Sequence, residues 1–120
     1  MIKVWSEKGE IHIHMDEALN AKSQIPFLKA IEAQPQGEPM MFHMEKMPYI
    51  DSSGLASLLQ LRDHAQGFQN VILCDPSDSV FHTLKIANFH RLYPIRHASH
   101  TAETDIHAPI KEMRGGRVMA

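Results

Sequence analysis

Residues 49–76, YIDSSGLASLLQLRDHAQGFQNVILCDP, change character several times, and those changes decide the fold. Asp51 is a good helix N-cap, because its carboxylate can accept from the free N–H groups of the turn that follows. From Ser52 to about Gln66 the apolar residues Leu55, Leu58, Leu59, Leu61 and Ala65 cover one broad helical face. Gly67 is expected to close this helix. Asn70-Val71-Ile72-Leu73-Cys74 is a short, continuously apolar run, the pattern of a central parallel strand buried on both faces. Asp75-Pro76-Ser77 then supplies a turn and a cap. A further helix is expected from about Asp78 to Ala87, with Val80, Phe81 and Leu84 inward.

Working outward, Met40-Met41-Phe42-His43-Met44 reads as a strand that reaches Asp51 through Met47-Pro48-Tyr49-Ile50. The methionines Met40, Met41, Met44 and Met47 read as core filling, since Met adapts to irregular gaps. Pro35 to Pro39 breaks the chain before them. A helical stretch capped by Asp16 and running to about Gln34 lies upstream. Pro26 restricts its regular part to a start near Ser23–Pro26, with Phe27, Leu28 and Ile31 as the buried stripe. The first fifteen residues form a hairpin turning at Lys8-Gly9-Glu10. Its second strand puts Ile11, Ile13 and Met15 on one face and His12 with His14 on the other. Leu92-Tyr93-Pro94-Ile95 reads as a final edge strand, where a proline costs no ladder bond. A last helix around 101–113, interrupted by Pro109, is expected before the tail. The whole is an α/β domain with a mixed sheet of four to five strands and helices mainly on one face. One domain spans 1–113, and 114–120, with Arg114 and Arg117, form a flexible, solvated tail.

A chain of 120 residues, 43% of them hydrophobic, suits one globular domain. The net charge of −2 gives no electrostatic reason to expect nucleic acid or an anionic membrane as partner. No apolar run approaches the ~18 residues of a membrane span, and the charged start lacks a signal-peptide core. The single cysteine, Cys74, suits a reducing compartment and a core position, so a cytoplasmic protein is expected. Nine histidines (12, 14, 43, 64, 82, 90, 97, 100 and 107) are many for this length, and would move the charge from −2 to +7 if all were protonated. His12, His14 and His43 can approach one another on neighbouring strands. No cysteine or carboxylate completes a ligand set at recognisable spacing, so no metal and no cofactor are expected.

Tyr49 to Leu55 with its Asp-Ser-Ser-Gly, then Leu58-Leu59 and Arg62-Asp63, Val71 to Pro76, Val80, Leu84, and Ile86-Ala87-Asn88-Phe89 through Leu92 to Ile95 resemble the STAS domain of anti-sigma factor antagonists. The resemblance covers about the last two-thirds of the chain and fits the hairpin only in pattern. It implies that Ser53 is phosphorylated by a partner anti-sigma serine kinase, with Ser52 as the alternative acceptor and Asp51 as the adjacent acid. A serine phosphatase would reverse the step. It also implies that the unphosphorylated protein binds the anti-sigma factor and that phosphorylation releases it. An acidic position after the second strand corresponds loosely to Asp16. The expected contact surface is Asp51, Ser52, Ser53, Gly54 and Leu55, with Asp75 and Ser77 as a second edge. Gly54 is expected to leave the acceptor open to a kinase.

Local sequence leaves other readings. Asp-Ser-Ser-Gly is also an ordinary helix cap. No Gly-x-Ser-x-Gly elbow marks Ser53 as a nucleophile, so no catalytic activity is expected. An adaptor subunit of a transporter or stress-signalling complex would carry the same motif. A small metal-dependent enzyme built on the histidines is the reading from another class.

Overall fold

In the computed structural model, which describes residues 1–97 and the backbone of 106–107, the chain folds as strands alternating with helices after an opening hairpin. The hairpin strands β1 (Ile2–Glu7) and β2 (Glu10–Met15) are antiparallel, with Glu7 opposite Glu10. The two turn residues, Lys8 and Gly9, have φ of 53° and 80°. Two successive positive φ values match the right-handed twist of the strands, and Gly9 adopts its value without steric cost.

Three crossovers follow, through α1 (Ala21–Glu32) to β3 (Met40–His43), through α2 (Ser52–Ala65) to β4 (Val71–Cys74), and through α3 (Asp78–Ile86) to β5 (Ile95–Arg96). The strands β2 to β5 are parallel, and β6 (Ile106–His107) runs antiparallel beside β5. Sheet order follows chain order from β1 to β6. Right-handed crossovers that always step the same way along a sheet put all their helices on one side. One core cluster accordingly joins Phe27 and Ile31 of α1, Leu58, Leu61 and Ala65 of α2, and Val80 and Leu84 of α3 to Ile11, Ile13, Met40, Phe42, Val71, Leu73 and Ile95 of the sheet. Met41 and Cys74 are also buried, yet they lie outside that cluster, on the far face. The expected one-sided α/β mixed sheet is thus observed.

Several boundaries differ from expectation, each for a local reason. The cap of α1 is Asn20, not Asp16: its side chain accepts from the N–H of Lys22 (3.0 Å) and Ser23 (3.2 Å), and Ser23 Oγ accepts from the Asn20 N–H (3.0 Å). This reciprocal box starts the helix ahead of Ser23–Pro26 and leaves Pro26 inside it, on the exposed side. Asp16 instead lies 2.7 Å from the terminal ammonium, which holds its carboxyl below the usual range. The left-handed residue closing α2 is Gln66 (φ 65°), one position before Gly67. Leu55, Leu59 and Phe81 are half-buried, as is Ile72, because no helix covers the far side of β4.

The segment expected as a terminal edge strand departs most. Residues 89–91 form a 3-10 turn, and Tyr93 is fully buried with its hydroxyl donating to the Leu58 carbonyl at 2.8 Å. The rings of Phe68 and Phe89 pack on it. The strand proper begins only at Ile95, after the Pro94 carbonyl has accepted from the Leu73 N–H (3.0 Å). It is not the edge, because β6 covers it. Residues 106–107 are strand where a helix around 101–113 was expected, and among the described residues they add this short sixth strand to the five that β1–β5 supply. The rest of that helix, and the tail at 114–120, lie outside the described residues.

Candidate functional site

The Asp-Ser-Ser-Gly segment lies where β3 has ended and α2 begins, at the carboxyl end of the parallel strands. This is the end of an open α/β sheet at which binding sites gather. Asp51 is the N-cap, in extended conformation, and its Oδ1 accepts from the Gly54 N–H at 3.0 Å. Its own carbonyl accepts from the Leu55 N–H at 2.8 Å. Ser52 and Ser53 are the first two helical residues, so their N–H groups have no intrahelical acceptor. Ser52 is exposed and Ser53 half-buried. Replacing Asp51 by Ala is expected to cost about 1 kcal/mol of stability, read as a lower midpoint in urea unfolding with an unchanged slope.

Gly54 does not do what the sequence suggested. It is buried, and a Cβ built on it would overlap the Leu19 carbonyl oxygen and Ile50 Cγ1, with Ile50 Cδ1 at 3.1 Å. The glycine lets the first turn of α2 settle on the segment that follows β2; it does not open the serine to an incoming partner. That segment is held in place by a parallel bridge between Leu19 and Ile50, and by the Asp51 N–H donating to the Leu19 carbonyl at 3.3 Å. Leu55 is half-buried, with part of its side chain packed against the core.

Further residues join the site from α1, and nothing in the sequence announces them. Gln24 Nε2 donates to the Ser53 carbonyl at 3.2 Å, which also accepts from Ser57 Oγ at 3.0 Å. Asn20 Nδ2 donates to the Tyr49 hydroxyl at 3.0 Å. Tyr49 and Ile25 are large, apolar and well exposed, at 46% and 64%. The second expected edge sits beside the first. Ser77 caps α3, accepting from the Val80 N–H (3.4 Å), and its hydroxyl donates to the Met47 carbonyl at 2.6 Å. Asp75, half-buried with φ 51°, donates its N–H to the Arg96 carbonyl at 2.7 Å. Ser77 thus clamps the loop leading to Asp51, and both loops occupy one end of the sheet.

The other candidate groups lie elsewhere. Burial pushes the Cys74 thiol up to about 11, against the opposing charge of Arg96, whose Nη2 donates to Sγ at 3.4 Å. Such a thiol stays protonated at neutral pH and is a poor nucleophile. His12, His14 and His43 project from the far face of the sheet, and His64 bonds the Gln34 carbonyl at 2.8 Å. Among the described residues, no group of three or more His, Cys, Asp or Glu is arranged to hold a metal ion. No described helix is long and apolar enough to cross a membrane.

Two solved structures share this architecture. A protein from Thermotoga maritima assigned as an anti-sigma factor antagonist superposes with a TM-score of 0.67 at 17% identity, covering 78% of this chain and 84% of its own. The anti-sigma factor antagonist SpoIIAA, in its unphosphorylated form, gives 0.62 at 14% identity, covering 82% and 90%. At these identities the likeness is one of fold. No curated protein sequence matches the chain. The sequence model of the STAS domain matches residues 5–102, from β1 to beyond β5. A match of that extent, on a sheet and helices arranged as in two antagonist structures, settles the family: this chain belongs to the STAS domain family.

Proposed function

We propose that this domain is an anti-sigma factor antagonist that works as a phospho-switch in the cytoplasm. Unphosphorylated, it binds an anti-sigma factor that is also a serine kinase; phosphorylated on Ser53, it is released; a serine phosphatase resets it. It has no catalytic activity of its own. The observation that carries this reading is the placement of Ser52 and Ser53 on the first turn of α2, capped by Asp51 and following exposed Tyr49.

The chemistry of that turn suits the role. Free N–H groups and the positive end of the helix dipole accommodate an added phosphate, so the fold survives modification. The Asp51 carboxylate is already occupied by the Gly54 N–H, so it caps the helix before and after the reaction. An apolar, partly exposed rim gives a partner surface to bury, and a charge arriving in its midst must then be desolvated.

Incubation with the cognate anti-sigma kinase and ATP, followed by peptide mass spectrometry, tests the acceptor. One phosphate on Ser53 is expected, and none on Ser53→Ala. Modification of Ser53→Ala at the wild-type rate would overturn the assignment.

A further inference from the structure

The side of the sheet without helices carries a cluster that the switch at α2 does not use. His12 Nδ1 and His43 Nε2 are 2.9 Å apart, a direct hydrogen bond between neighbouring parallel strands. The indole of Trp5, on β1, lies nearly parallel to both imidazoles, with centroids 5.2 Å from His12 and 5.8 Å from His43. The two imidazole centroids are 5.2 Å apart. Three rings from three strands thus form one layer, and Trp5 reaches β3 across β2.

The charged surroundings of the pair are uneven. On the β1–β2 side His12 Nε2 faces Glu10 at 3.5 Å and Glu7 at 3.8 Å. Lys3 lies opposite His14 in register, and His14 Nε2 faces Glu45 at 3.7 Å. On the other side His43 is in register with Cys74, which neighbours Arg96.

A hydrogen bond between two imidazoles needs one donor and one acceptor nitrogen. One added proton is compatible with it. As an imidazolium, His12 donates from Nδ1 to His43 and turns its other N–H toward Glu7 and Glu10. A second proton, on His43 Nε2, sets two N–H groups head to head and brings two positive rings together.

We propose that His12 and His43 form a one-proton site, so that acid beyond the first proton breaks their bond and releases Trp5 from the ring layer, a pH-sensitive device on the face opposite the phosphorylated helix. Burial first, then the charge of His12, hold the His43 imidazole below its ordinary 6.5; Arg96 and His14 act in the same direction, and Glu45 opposes them. The folded protein therefore binds fewer protons at this ring than the unfolded chain does. The stability it contributes is complete above about pH 6.5 and is lost as the pH falls from there through the folded-state value.

Trp5 is the chain's only tryptophan, so its emission reports the device directly. The experiment follows the histidine rings by NMR and the Trp5 emission from pH 8 to pH 4.5, in wild type and in His43→Gln, whose amide oxygen still accepts from His12. In wild type, the His43 ring is expected to titrate below its ordinary 6.5, with a red shift of Trp5 emission accompanying that step. In His43→Gln that step and the red shift are both lost. Titration of His43 at or above 6.5, constant wild-type emission, or the same red shift in His43→Gln would each overturn the proposal.

Discussion

Gly54→Ala is expected to lower the melting temperature by roughly 10 °C, although helix propensity alone points the other way. Alanine is favoured over glycine in a helix by about 1 kcal/mol. Against that gain stands the new methyl group, which meets the Leu19 carbonyl oxygen and the Ile50 side chain. Neither neighbour is free to give way. The Leu19 carbonyl is held by the Asp51 N–H, and Ile50 is buried and bridged to Leu19. Overpacking of this kind costs about 1–3 kcal/mol, and a fixed backbone obstacle puts it at or above the top of that range. The net loss is then about 2 kcal/mol, and a chain of 120 residues lies between the small domains where each kcal/mol is worth roughly 4–8 °C and the larger ones where it is worth about 2–4 °C, which gives a fall of roughly 10 °C. Thermal unfolding followed by circular dichroism checks it. A variant as stable as wild type would show that the first turn of α2 moves freely off the Leu19 segment.

Modification of Ser53 is expected to have the larger effect on binding and little on the fold. A phosphate adds about −1.5 to −2 charge beside Asp51. Bringing it unpaired into a contact with the anti-sigma factor costs about 2–5 kcal/mol. At about 1.4 kcal/mol per tenfold, affinity falls roughly thirtyfold to several thousandfold. Ser53→Asp places one carboxylate where the phosphate would carry more charge and more acceptor oxygens, so it reproduces only part of the loss. Ser53→Ala is expected to stay constitutively bound. On the proposed switch the free N–H groups of the turn would receive the phosphate, so changes in amide exchange should be confined to 51–55 and the adjoining loop at 75–77. Changes spread through β3 and β4 would mean that the switch works by refolding the sheet.

The elements that position this site were legible because their signals are local. The Leu55–Ala65 face, the Asp51 cap and the apolar run at 71–74 each depend on residues within a turn or two of one another. Long-range contacts were not legible. Gly54 reads as an opening until Leu19, 35 positions earlier, is found against it. Gln24 gives no sign that it will reach the Ser53 carbonyl, and Pro94 looks like an edge-strand proline until Tyr93 is seen buried under α2. The cap of α1 falls at Asn20 rather than Asp16 for a different reason: Asn20 closes a reciprocal box with Ser23, where Glu or Gln is the usual partner. His12 and His14 were rightly placed opposite the core-facing residues of β2. The approach of His43 from a neighbouring strand was legible too; that it stands opposite His14 in register and bonds His12 was not.

The most direct measurement is a calorimetric titration of the cognate anti-sigma factor with the unphosphorylated protein and with the protein phosphorylated stoichiometrically on Ser53. The account predicts one-to-one binding for the first and a dissociation constant at least about thirtyfold weaker for the second. Equal affinity of the two forms would contradict it.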